Sequence, residues 1–228
     1  PAEQRRVRIP TVTDPRGVDF AAYKRLGQTE AMADLERRAT RAFEALGLLM
    51  TNTCINYQSI MPPAPGEHVA FGDTGSSIYA NSVLGARTNF EGGPSALAAA
   101  LTGVTPRYGY HVDRCRRGTR HFEVTFRPKD LAEWGALGAL VGRRMRSYWE
   151  VPVLSGLAPP ITSDELKQLG AALASFGSTP LFHMAGVTPE AIDPARVFDG
   201  PAPAGEKLGP DDVARLMASY RPADDKLD

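Results

Sequence analysis

"RHFEVTFRPKDLAEWGALGALVGRRMRSYWEVPVLSG", residues 120–156, changes its apolar period twice. "RHFEVTF" (120–126) alternates polar and apolar residues and predicts a strand, "KDLAEWGALGALVGRRM" (129–145) repeats at helical spacing, and "WEVPVLSG" (149–156) returns to a strand. The pattern continues outward on the C-terminal side. "TSDELKQLGAALASFG" (162–177) reads as a capped helix and "TPLFHMAG" (179–186) as a further strand. On the N-terminal side "RVRIPTV" (6–12) reads as a strand that ends at the turn signal "TDPRG". "TEAMADLERRATRAFEALG" (29–47) then has Thr29 as N-cap, Met32, Leu35, Ala39, Phe43 and Leu46 at helical spacing, and Gly47 as its stop. The next run, "LLMTNTC", is strand-like and would leave Cys54 just past a strand end, where open α/β sheets build their sites. Alternating elements of this kind argue for α/β layers with a mixed or mostly parallel sheet. Residues 187–210 are rich in Pro and Gly and read as a linker or surface loop before a short helix at 210–220. The expected division is therefore an α/β region over 1–186, with 187–228 as a linker loop and the start of a following α/β segment.

A chain of 228 residues with 43% hydrophobic residues can bury a sizeable core. Lys plus Arg (26) balances Asp plus Glu (26), so no net field gathers nucleic acid or an acidic membrane. Apolar stretches such as "ALGALV" (136–141) are far shorter than the ~20 residues of a membrane span. Only Cys54 and Cys115 are present, which suits a reduced compartment and a cytoplasmic setting better than a disulfide framework. The chain opens on Pro1 and closes on the charged "ADDKLD" (223–228), which reads as a piece of something longer.

The chemistry-bearing stretch is "PGEHVAFGDTGSSIYANSVLGARTNFEGGPSALAAALTG" (65–103). It crowds His68, Asp73, Ser76, Ser77, Asn81, Arg87, Thr88, Asn89 and Glu91 among glycines and small apolar residues. "GGPSALAAAL" predicts a helix opening at Pro94, whose N-terminal end suits a carboxylate, and Arg87 offers a planar fork for the same anion. Each member also has a plainer reading. Arg87 and Glu91 could form a helical i,i+4 pair, Ser76 and Ser77 could be turn or cap hydroxyls, and His68 could be a satisfied, partly buried histidine. Cys54 alone reads as a small buried residue, and Cys115 in "DRCRRGTRH" as an incidental thiol in a charged loop. "GRRMR" (142–146) reads as cations at a helix end. The GxSxG, HExxH, P-loop and CxxC patterns are absent from the sequence.

"VRIPT" (7–11), "NTCINY" (52–57), "GEH" (66–68), "SSIYANSVLGARTNFEGGPSALAAALTG" (76–103) and "TPRYGYH" (105–111) together resemble aconitase X, the compact branch of the aconitase superfamily. The family often has a Thr-Cys-Thr-Pro-Tyr form where this chain has "NTCINY", and its large subunit runs on into a further Gly-Cys-Pro-His type motif. The resemblance implies a layered aconitase-like domain and a hydro-lyase whose iron–sulfur cluster or mononuclear iron takes Cys54 as one ligand. It implies that Ser76, Ser77, Asn81, Arg87, Thr88, Asn89 and His68 hold a small hydroxy-acid substrate. It also implies a small swivelling domain or subunit that carries the serine base outside this chain. Two substrates are associated with such proteins. The Arg- and Ala-rich composition leans toward the bacterial one, cis-3-hydroxy-L-proline, giving pyrroline-2-carboxylate; the alternative is phosphomevalonate, and a second alternative is a non-catalytic carboxylate-binding remnant.

Overall fold

The structure, a computed structural model, describes residues 5–220. The closing "ADDKLD" lies outside the described residues. Helix α1 (Glu30–Leu46) opens with the Thr29 hydroxyl accepting from the Met32 N–H and closes on Gly47 at φ 88°, the left-handed conformation that glycine adopts without steric cost. A single turn, α2 (Asn56–Ser59), follows, then α3 (Thr74–Ser82) and α4 (Gly93–Thr102).

The C-terminal half is a parallel sheet built by crossovers. Its strands β1 (Arg120–Val124), β2 (Pro152–Ser155), β3 (His183–Met184) and β4 (Glu206–Leu208) lie in the order β3-β2-β1-β4. Arg120 stands opposite Pro152, Phe122 opposite Glu206 and Leu154 opposite Met184. Helix α5 (Leu131–Gly142) links β1 to β2, α6 (Ser163–Gly177) links β2 to β3, and α7 (Pro210–Ala218) follows β4. Parallel neighbours need such covering helices, so the strands are apolar where they are buried. Phe122, Leu154 and Met184 from the sheet meet Trp134, Leu137, Leu169, Leu173 and Leu216 from α5, α6 and α7, with Ile78 of α3 joining from the N-terminal half. The α5–α6 approach is close because Gly138 has no side chain: a Cβ there would sit 2.2 Å from the Leu169 carbonyl oxygen.

Two expected strands are not formed. "RVRIPTV" and "LLMTNTC" meet only in the single bridge between Val12 and Leu49. Pro10 offers no N–H to a ladder, and Asn52 turns the chain at φ 51°. Cys54 therefore sits in a turn ahead of α2, exposed, rather than at a strand end. The expected strand 179–186 shrinks to His183–Met184, since Pro180 removes a donor at its start. The stretch 187–210 is not simply a linker: Glu206–Leu208 is strand β4 against β1, and Val197 and Phe198 pack on Val153. The sheet thus crosses the expected boundary at residue 186. Its Pro and Gly residues hid a strand only three residues long.

Candidate functional site

A group of polar side chains lies where α2, α3 and α4 begin, around a cleft of about 300 Å³. Helix α3 opens there because Asp73 caps it: the Asp73 carboxylate accepts from the Ser76 N–H at 2.8 Å and from the Ser76 hydroxyl at 3.1 Å. The Ser76 hydroxyl also lies 3.4 Å from the Cys54 carbonyl oxygen, tying the Cys54 turn to the cleft rim. Gly92 is the N-cap of α4 and Pro94 stands in its first turn, so the positive end of that helix faces the same space with Gly93 open beside it. Gly72 is obligatory at this point. Glu91 donates its N–H to the Phe71 carbonyl at 2.9 Å, and a Cβ on Gly72 would meet the Glu91 carbonyl oxygen at 2.2 Å.

Asp14, Asp73 and Glu91 line the cleft with no lysine or arginine among the lining residues. Asp14 is held above the ordinary carboxylate range by burial first and by the neighbouring Asp73 charge second. Tyr57 is pushed up to about 12 by burial and then by Asp73, so it stays a neutral hydroxyl donor.

The sequence-derived candidates fall into two groups. Ser77, Asn81, Thr88 and Asn89 are buried and engaged with the protein. Asn81 donates to the Thr88 and Pro180 carbonyls at 2.9 and 2.8 Å, while its side-chain oxygen accepts from the Thr88 N–H at 3.0 Å and from Arg116 at 2.9 Å. The Ser77 hydroxyl donates to the Phe71 carbonyl, the Thr88 hydroxyl to the Asn89 carbonyl, and Asn89 accepts from the Tyr110 N–H. These four hold the loop that carries Glu91. Ser76, by contrast, lines the cleft, and His68 and Arg87 line a neighbouring cavity of about 460 Å³ with Arg107 and His111.

Arg87 is not in a helix and does not pair with Glu91. Residues 68 and 87 bridge as extended backbone, and the guanidinium donates to the His111 carbonyl at 3.1 Å and to Asp113. Asp113 is correspondingly held below the usual carboxylate range by its hydrogen bond to Arg87. The "DRCRRGTRH" loop is less solvated than its charge suggests. Arg116 is buried, with Nε 2.7 Å from Glu190 and further bonds to Asn81 and Tyr110. Within "GRRMR", Arg144 pairs with Glu206 and Arg143 donates to the Tyr220 hydroxyl at 2.9 Å.

Sequence reasoning passed over Asp14, Tyr57, His111 and Arg116. Asp14 is hidden in a turn signal, and His111, within "TPRYGYH" (105–111), has no spacing that ties it to His68. Among the described residues no three His, Cys, Asp or Glu side chains form a group that could hold a metal ion, and no helix is long and apolar enough to cross a membrane.

Comparison with known proteins extends these observations. A family model described as aconitase X first domain matches residues 2–114, and one described as aconitase X second domain matches residues 118–217. The phosphomevalonate dehydratase large subunit of Methanothermobacter thermautotrophicus is 37% identical over 97% of this chain and 54% of its own length. The cis-3-hydroxy-L-proline dehydratase of Pseudomonas aeruginosa is 35% identical over 87% of this chain and 34% of its own. The crystal structure of Thermococcus kodakaraensis aconitase X, a holo-form, superposes with a TM-score of 0.83 at 30% identity, over 96% of this chain and 53% of that one. The chain thus spans about half the length, or less, of these relatives.

Proposed function

The chain belongs to the aconitase X family, and from that premise we propose that it is part of a hydro-lyase that dehydrates a small hydroxy carboxylic acid. The observation that carries this reading is the family match through both halves of the chain, with named dehydratases among the relatives. The cleft supplies the place. The positive end of α4 and the Ser76 hydroxyl receive the substrate carboxylate, and the neutral Tyr57 hydroxyl donates beside them. His68 and Arg87 complete the binding surface from the adjoining cavity, while Ser77, Asn81, Thr88 and Asn89 hold the loop in shape.

The residues of this chain do not by themselves fit an iron centre: Cys54 offers one exposed thiol and no group of three ligands surrounds it among the described residues. We therefore assign Cys54 as one ligand of an iron–sulfur cluster or mononuclear iron whose other ligands lie outside residues 1–228. The remaining partner is a small swivelling domain or subunit bearing the base. A cytoplasmic setting belongs to the same reading, since both cysteines are free thiols.

For the substrate, the acidic lining favours cis-3-hydroxy-L-proline. Its ring ammonium is matched by Asp14, Asp73 and Glu91, whereas a phosphate would meet no lysine or arginine in the cleft itself and would depend on the adjoining cavity, where Arg87 is paired with Asp113. Phosphomevalonate is the second reading, favoured by the relative that matches 97% of the chain. Turnover assays on the complete enzyme with both compounds decide between them. Formation of pyrroline-2-carboxylate supports the first, dehydration of phosphomevalonate alone supports the second, and turnover of neither removes the hydro-lyase reading. Iron analysis of Cys54→Ser tests the ligand separately: the variant is expected to lose bound iron, and full retention refutes the assignment.

A further inference from the structure

His68 and His111 share one contact that neither the binding site nor the fold requires. Their Nδ1 atoms are 2.8 Å apart and their rings stack at 5.1 Å between centroids. His111 is 4% exposed, and its other nitrogen, Nε2, is buried without a hydrogen-bond partner. The nearest anion is Glu91, whose Oε1 lies 3.8 Å away and is steadied by the Asn89 amide at 3.4 Å. Glu91 lines the cleft between α2, α3 and α4, whereas His68 is exposed and lines the neighbouring cavity with His111. The three side chains therefore form the wall between two cavities, with an ionisable atom on each side.

An Nδ1–Nδ1 contact at this distance holds one proton, so one ring donates and the other accepts. If His111 donated, its Nε2 lone pair would face the Glu91 carboxylate. If His68 donates, His111 turns an Nε2–H toward that carboxylate, the arrangement electrostatics prefers. Burial first and His68 second lower the pKa of His111, with Glu91 opposing and Arg116 adding to the decrease. Near neutral pH His111 is thus an uncharged ring able to pass a proton on. Arg87, bonded to the His111 carbonyl, is neutralised by Asp113.

We propose that Glu91, His111 and His68 form a proton relay between solvent and the cleft, with Glu91 donating to the leaving hydroxyl of the substrate. The proposal rests on the hydro-lyase reading. A proton from solvent adds to Nε2 of His68, the Nδ1 proton of His68 passes to Nδ1 of His111, and the Nε2 proton of His111 passes to Glu91 once its carboxylate swings closer by about 1 Å. Glu91 gives that proton to the departing hydroxyl, which leaves with its bonding electrons as water. The base takes the proton from the adjacent carbon, and the electrons of that C–H bond become the new double bond. The base hands the proton taken from carbon to Glu91 through the water just formed, and that proton leaves in the reverse direction, so one passage in and one passage out leave both imidazoles in their starting tautomers.

The test pairs kinetics with ring-nitrogen NMR. In the complete enzyme, His68→Gln, an exposed and fold-neutral change, is expected to lower kcat by about 100-fold. Added imidazole should restore part of the lost kcat, a recovery that a role in substrate binding alone would not give. A variant with the parent kcat and pH profile overturns the relay. In ¹⁵N spectra of the chain, one proton shared between the two Nδ1 atoms and a His111 titration that moves in Glu91→Gln support it, whereas independent titration of the two rings overturns it. If the parent enzyme dehydrates no hydroxy acid, the hydro-lyase reading fails, and the NMR result alone keeps or removes the relay.

Discussion

Replacing Asn81 by alanine separates a structural side chain from a substrate ligand. Asn81 is 1% exposed and makes four side-chain bonds, to both backbone groups of Thr88, to the Pro180 carbonyl and to Arg116. Truncation leaves the Thr88 N–H, the Thr88 carbonyl and the Pro180 carbonyl without these partners, whereas Arg116 keeps Glu190, the Tyr110 carbonyl and the Asn81 backbone. Each orphaned buried group costs about 1–3 kcal/mol. Alanine returns roughly 0.5 kcal/mol through its higher helix propensity in α3. Three such groups less that gain give an expected net loss of about 2.5–8.5 kcal/mol, read as a fall in the urea midpoint of the chain with an unchanged slope. Asn81→Asp is expected to suffer as well, because a carboxylate keeps the acceptor for Thr88 and Arg116 but sets charge against two carbonyl oxygens. A loss below about 1 kcal/mol would refute this structural account, and a fall in kcat/KM at unchanged stability would return Asn81 to the substrate.

Gly138→Ala is expected to destabilise the α5–α6 contact by about 1–3 kcal/mol, because the added Cβ meets the Leu169 carbonyl, which cannot move aside. Gly135→Ala meets only the flexible Gln168 side chain and should be close to neutral, so equal thermal shifts for the two variants would contradict the packing argument. His183 predicts a pH dependence of stability. It is buried with its Nε2 2.6 Å from the Arg116 carbonyl, and burial holds its pKa below the ordinary value of 6.5. The unfolded state therefore binds a proton that the folded state refuses. Stability should fall as pH drops below about 6.5, by up to 1.4 kcal/mol per unit, until the folded pKa is passed. His183→Gln should flatten that fall, and chemical denaturation at a series of pH values reads it.

The sequence by itself determined the elements whose signals are local. Thr29 and Gly47 bound α1, Thr162 and Glu165 close the capping box of α6, and the period changes across 120–156 placed β1, α5 and β2. Caps and apolar periods act between residues a turn or two apart, so they are written in the chain itself. The family resemblance was likewise carried by contiguous residues, and Ser76, His68 and Arg87 were picked out with it. Tertiary structure decided the rest. Pro10 and Asn52 reduced two apparent strands to one bridge, β4 formed only because β1 offered it an edge, and Arg87 chose Asp113 over Glu91 because its backbone is extended rather than helical. Asp14 beside Asp73, and His68 against His111 at a sequence separation of 43, are meetings set by chain packing. A side chain's role depends on which groups share its low-dielectric surroundings, and neighbours brought from distant segments leave no periodic trace in the sequence.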